Sequence, residues 1–226
     1  MMRLLILTLT VWMACAPGTA QGQPAPRGVP SPETMATALS DLRAGNYEAA
    51  ERAYSRLLPS FPRNPNVVIG LAHAELGLGK LESAYARLQL IRTLDPDNGG
   101  VHFVLGQLFL KADMPLPAAH ALTRAVSLEP SNQTFRLALA RSLSETGQLY
   151  AAASQYGRLL EQMDQEGRRP DPAVVYELAD LATRLNMNDD ARRLYRLLLN
   201  LEPNSPRAAV ARQWLERPEA PAPPQP

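Results

Sequence analysis

The chain has 226 residues, 46% hydrophobic and 20% charged, an ordinary globular composition with length enough for a sizeable core. Its 23 Lys and Arg face 22 Asp and Glu, a net charge of +1, so no global field draws it to nucleic acid or anionic lipid. A single cysteine, Cys15, excludes a disulfide within the chain.

The opening segment "MMRLLILTLTVWMACAPGTAQGQ" places one Arg before an apolar run from Leu4 to about Ala16, then small residues, the order of a secretory signal peptide. The run is too short to span a bilayer comfortably. Gly18 and Ala20 form a small-x-small pattern that favours cleavage after Ala20. Residues 1–20 then read as a leader, Cys15 is discarded, and the protein is exported to the periplasm. A rival reading takes "WMAC" as a lipoprotein box, with Cys15 lipidated and the chain held at the outer membrane. Ala14 suits that box, but Trp12 and Met13 stand where Leu and a small residue are usual. Residues 21–30, "QGQPAPRGVP", read as a Pro-rich linker.

From Ser31 the sequence repeats. Units begin at Ser31, Pro65, Gly99, Gln133 and Pro172, with a partial sixth at Pro206. The steps are 34, 34, 34, 39 and 34 residues, the long one containing "GRRPD" at 167–171. The eighth residue of a unit is Ala38, Ala72, Gly106, Ala140 or Ala179, and the twentieth is Ala50, Ala84, Ala118, Ala152 or Ala191. Small residues twelve apart with a turn between them predict two antiparallel helices, meeting where only small side chains fit. Large residues surround them, with Leu71, Leu105, Leu139 and Leu178 seventh and Tyr54, Leu88, Leu122, Tyr156 and Tyr195 twenty-fourth. Gly45, Gly79, Asp113, Gly147 and Asn186 mark the mid-unit turn, and Pro62, Pro96, Pro130 and Pro203 stop the second helix. "GLGK" at 77–80 is therefore a turn with a solvated Lys80; Ala74 and Leu81 deny it the partners of a phosphate loop.

The first unit is worn, with Thr37 where a large apolar residue is usual, as suits an end cap. "PRAAVARQWLE" at 206–216 predicts a closing helix that covers the last unit through Ala209, Val210 and Trp214. Residues 217–226 are a Pro-rich tail, not expected to pack.

Catalytic chemistry finds no foothold. His73, His102 and His120 have no metal-ligand spacing, and no nucleophile elbow or dinucleotide fingerprint occurs. The expectation is a protein that is not an enzyme and uses no cofactor or metal. "NQT" at Asn132 has the form of a glycosylation acceptor but recurs easily by chance.

The period, paired small residues, turn residues and terminal prolines resemble the tetratricopeptide repeat family from about Ser31 to Leu215. The resemblance implies an all-α fold: a right-handed α-solenoid of five helix-turn-helix repeats over 31–216, with a capping helix at 206–216. It also implies a concave wall lined by the first helix of each unit. Carried onto this chain, the wall's apolar half holds Met35, Leu39, Leu42, Ile69, His73, Leu76, Phe103, Val104, Gln107, Leu110 and Lys111. Its polar half holds Leu137, Arg141, Ser144, Glu145, Tyr176, Glu177, Asp180, Thr183 and Arg184. Leu42, Leu76 and Leu110 equally suit the seam between units.

The Lys and Asn of the family's carboxylate clamp are missing at the matching positions. The resemblance implies a partner protein gripped by its segment, with Phe103 and Ile69 as apolar contacts and Arg141 and Arg184 meeting carboxylates. Arg87 falls on the second-helix side. The architecture is similar to exported bacterial repeat proteins of pilus and secretion assembly. Two alternatives stay open: a module for polysaccharide or peptidoglycan, and a homo-oligomeric scaffold joined through Trp214.

Overall fold

A computed structural model describes residues 30–216. The leader, Cys15, the linker up to residue 29 and the tail at 217–226 lie outside the described residues. Among the described residues there are eleven helices and no strand. They are α1 (Pro32–Arg43), α2 (Tyr47–Leu57), α3 (Pro65–Gly77), α4 (Leu81–Leu94), α5 (Gly99–Lys111), α6 (Pro115–Leu128), α7 (Gln133–Glu145), α8 (Leu149–Gln165), α9 (Pro172–Arg184), α10 (Asn188–Leu201) and α11 (Pro206–Leu215).

From α3 onward, odd-numbered helices start where a polar residue can accept the first free amides. Asn64, Asn98, Asn132, Asp171 and Ser205 each cap the helix that follows, for example Asn64 Oδ1 accepting from the amides of Asn66 and Val67 at 3.0 and 3.3 Å. Asn132, the residue of the acceptor-like triplet, is also held by Glu129 Oε2 at 3.1 Å. Each mid-unit turn closes on a left-handed residue: Gly45, Gly79 and Gly147 at φ 77°, 80° and 76°, and Asp113 and Asn186 at 56° and 58°.

The paired small residues do bring the helices together. Ala38, Ala50, Ala72, Ala84, Ala118, Ala140, Ala152, Ala179 and Ala191 are all fully buried. A Cβ on Gly106 would sit 2.5 Å from Leu122 Cγ, so that crossing admits nothing larger than glycine without movement. Consecutive helices pack in pairs, and α1 meets α3, α3 meets α5 and α5 meets α7, so these first helices form one layer. The fold is an all-α solenoid.

The long step is taken up partly in a helix and not only in the residues 167–171. Helix α8 has 17 residues where α4, α6 and α10 have 14, and only then does the chain turn at Gly167, φ 64°. Arg168 fastens the turn back onto the array through Gln133 Oε1 at 2.9 Å and Glu166 Oε2 at 3.0 Å.

The closing helix covers the last unit, with Trp214 packed on it as expected but not Ala209 and Val210. Ala208 and Ala211 are buried, while Ala209 and Val210 are exposed. The spacing Ala208, Ala211, Leu215 follows one side of the helix, and Trp214 lies beside it with its ring 5.0 Å from that of Tyr195. Arg192 places its guanidinium 5.8 Å from the indole.

Candidate functional site: a concave wall in two halves

Helices α1, α3 and α5 enclose an apolar groove of about 690 Å³. It gathers Met35, Leu39 and Leu42 from α1, Ile69 and His73 from α3, and Phe103 and Val104 from α5. Their depths differ. Leu39 is 38% exposed, whereas Phe103 is 9% and Val104 2% exposed. Phe103 is thus the floor of the groove, a correction to its expected place as a projecting contact. Its ring is stacked on Phe135 at 4.6 Å and meets the edge of His73 at 6.5 Å. Burial lowers the His73 pKa, so its imidazole is neutral near pH 7.

Leu76 is buried in the seam, while Leu42 reaches the groove. Gln107 joins neither half, its Oε1 buried without a hydrogen-bond partner among the described residues. Lys111 turns aside too, its Nζ donating to the carbonyls of Leu76 and Gly77 at 2.7 and 3.2 Å. A cation is favourable there, at the end of the α3 dipole.

Helices α7, α8 and α9 form a second, polar pocket of about 390 Å³, lined by Arg141, Ser144, Glu145, Tyr156, Tyr176, Glu177 and Asp180. Arg141 is not free for a partner's carboxylate, contrary to expectation. Its Nη2 and Nε donate to Glu177 at 2.7 and 3.1 Å, and the Tyr156 hydroxyl donates to the same carboxylate at 2.5 Å. The Glu177 bond raises the Arg141 pKa, and burial followed by that carboxylate raises the Tyr156 pKa. Arg184 reaches back to Ser144 Oγ at 3.1 Å.

Two wall residues, Tyr54 and Tyr156, escaped the sequence reading because their unit position reads as core. Both are almost fully buried, yet each lines one of the two hollows. The signal lay in the sixth residue of the following unit. There Gly70 lets the Tyr54 ring approach so closely that a Cβ would lie 2.3 Å from it, and Glu177 takes the Tyr156 hydroxyl.

Behind the wall, Arg87 is not an idle second-helix residue. Its Nε donates to both oxygens of Glu75 at 2.9 Å, and Ser83 donates to the same buried carboxylate at 2.8 Å. Lys80 likewise pairs with Glu51 at 2.6 Å while staying half exposed.

The tetratricopeptide repeat profile matches this chain twice, at residues 41–108 and 103–168. No curated protein matches. Several solved structures share the fold. One is YrrB, described as a repeat protein with an unusual peptide-binding site; it is 18% identical, with TM-score 0.60, and the match covers 80% of this chain and 90% of that one. TTC0263, a thermophilic repeat protein of Thermus thermophilus, is 19% identical with TM-score 0.61, over 81% of this chain and 97% of that one. The pilF protein of Pseudomonas aeruginosa is 21% identical with TM-score 0.61, over 80% of both chains. Repeats of this kind are generally non-catalytic and act in protein–protein interaction. With two profile matches and the full repeat geometry in place, the chain belongs to the tetratricopeptide repeat family.

Proposed function

We propose that this protein is a non-catalytic adaptor that holds a segment of another protein against its concave wall, as part of a bacterial envelope assembly such as a pilus, secretion or outer-membrane machine. The observation that carries the reading is the apolar groove between α1, α3 and α5. Its volume of about 690 Å³ and its open side at Leu39 suit one or two apolar side chains of a partner. A peptide-binding site is described for YrrB, which shares the fold. The envelope context draws on the leader-like order of residues 1–20 and on the shared fold of the pilF protein.

A photo-crosslinking amino acid at Leu39, compared with one at Tyr150 at the start of α8, tests the groove in cells. Tyr150 is 74% exposed and lines neither half of the wall. The expected result is a discrete adduct from Leu39 that is missing from Tyr150. Adducts from Tyr150 alone would move the interaction to the outer edge of the array. Intact mass of the isolated protein tests export: a chain starting at Gln21 is expected, and acyl chains on Cys15 would make it an anchored lipoprotein.

A further inference from the structure

We propose that the wall takes a cationic segment, with an apolar side chain in the α1–α3–α5 groove and a lysine or arginine side chain in the pocket between α7 and α9. This rests on the groove reading above and adds the sign of the partner's charge.

The support is the unequal commitment of acids and bases along α5, α7 and α9. Lys111 is engaged by the Leu76 and Gly77 carbonyls, Arg136 by the Pro130 carbonyl and Gln155, Arg141 by Glu177, and Arg184 by Ser144. Each Lys and Arg side chain of α5, α7 and α9 therefore already holds an internal acceptor. The acids are divided. Glu177 is saturated by Arg141 and Tyr156, whereas Glu145 and Asp180, both exposed in the pocket, have no hydrogen bond or ion pair among the described residues.

The apolar groove repeats this sign. Among the described residues the one charged side chain lining it is Glu129, whose Oε2 accepts from Asn132 while Oε1 has no partner, although the Arg43 charge also acts on Tyr54 at its edge. An incoming carboxylate would face uncommitted anions and would have to compete with Glu177 for Arg141. An incoming ammonium or guanidinium finds uncommitted acceptors in Glu145 and Asp180 beside Tyr176, whose half-buried ring can also attract a cation. Both hollows are lined by inward helices, and the proposed occupant is one extended segment laid along them.

The test is selection of a random displayed-peptide library on the full-length chain, followed by fluorescence anisotropy with the enriched peptides. The expected consensus pairs an aromatic or aliphatic residue with Lys or Arg at constant spacing. Glu145→Gln with Asp180→Asn should weaken a lysine peptide at least tenfold and leave its Lys→Gln counterpart unchanged. Glu48→Gln with Glu82→Gln, an equal charge change on α2 and α4, should alter neither. The Lys→Gln change in the peptide reads the same contact without touching the protein's fold. Enrichment of Asp or Glu, or equal weakening of the lysine and glutamine peptides, overturns the proposal. Apolar peptides without charge preference that are lost on Ile69→Asp also overturn it while the groove reading stands. If no peptide is enriched, or if binding ignores Ile69→Asp, both readings fall.

Discussion

The two halves of the wall are built on one register and hold together in opposite ways. In the first three units the inward helices touch directly, α1 on α3 and α3 on α5, and the groove they leave is lined mainly by apolar side chains. Between α7 and α9 the approach is looser, and long side chains bridge it: Arg141 to Glu177 and Arg184 to Ser144. The longer α8 and the 39-residue step coincide with this change. The same two unit positions are Tyr54 over Gly70 in one half and Tyr156 over Glu177 in the other. At this pair of positions glycine admits a tyrosine ring against the backbone, and glutamate takes a tyrosine hydroxyl.

The sharpest contrast lies in where each half keeps its ion pair. Behind the apolar half, Glu75 has a 4% exposed side chain and depends on Arg87 and Ser83. Arg87→Ala should destabilise the fold by about 3 kcal/mol, since removing one partner strands a buried charge. Adding Glu75→Gln should recover part of the loss. On the polar half Arg141 is 49% exposed in its pair, and Arg141→Ala should cost under about 1 kcal/mol. Urea melts of the three variants measure both figures, and equal losses would erase the contrast.

The next test exchanges the sixth residue. Gly70→Ala drives a Cβ to 2.3 Å from the Tyr54 ring and should cost about 2 kcal/mol by overpacking. Glu177→Ala loses its hydrogen bonds to Arg141 and Tyr156 at a partly exposed site and should cost about 1 kcal/mol. Combining Gly70→Ala with Tyr54→Leu should restore most of the first loss, because the clash is with that ring alone among the atoms nearest the new Cβ. Failure of the rescue would show that backbone, and not the ring, limits the contact.

The repeat was legible because helix pairing is decided by residues that recur: small residues at the crossings, left-handed residues at the turns, and caps before each inward helix. Asp113 and Asn186 could be placed in turns although neither is glycine, since the period located them. Pairing between side chains does not recur, so it was not legible. Nothing in the unit pattern says that Arg141 would spend itself on Glu177, or that Arg87 would neutralise Glu75. Phe103 was assigned to the wall by its place in the unit, yet its depth is set by Phe135, a residue of the next unit. The closing helix was misjudged at Ala209 and Val210 for a related reason. Its contact face is chosen by Tyr195 and the preceding helix, and a short alanine-rich sequence carries little amphipathic signal.

A smaller difference should appear when each tyrosine hydroxyl is removed. Tyr156→Phe gives up a bond to a carboxylate and should cost about 1 kcal/mol. Tyr54 makes no such bond among the described residues, so Tyr54→Phe should stay within about 0.5 kcal/mol of the parent. Thermal melts at one pH suffice, and a larger loss at Tyr54 would reveal a polar contact inside the apolar groove.

The halves should also differ in how they answer mild acid. His73 sits in the apolar groove against Phe103, and burial alone lowers its pKa below the ordinary value of 6.5. In the unfolded chain this histidine takes up a proton near its ordinary pKa, while the folded chain resists until lower pH. Over that interval the unfolded state binds more protons, so stability falls as pH drops from 7 through 6.5 toward the folded pKa and levels off below it. Tyr156 and Arg141 in the polar half are both pushed upward, away from this range, and contribute nothing to the change. Replacing His73 with Phe should flatten the histidine-dependent part of the slope as pH falls below 7 in urea melts, while Tyr156→Phe leaves it intact. A partner side chain seated over His73 would bury the imidazole further, so binding should weaken on acidification by the same sign. A slope that survives His73→Phe would assign the acid response to groups elsewhere in the chain and leave the groove's neutrality without a role in stability.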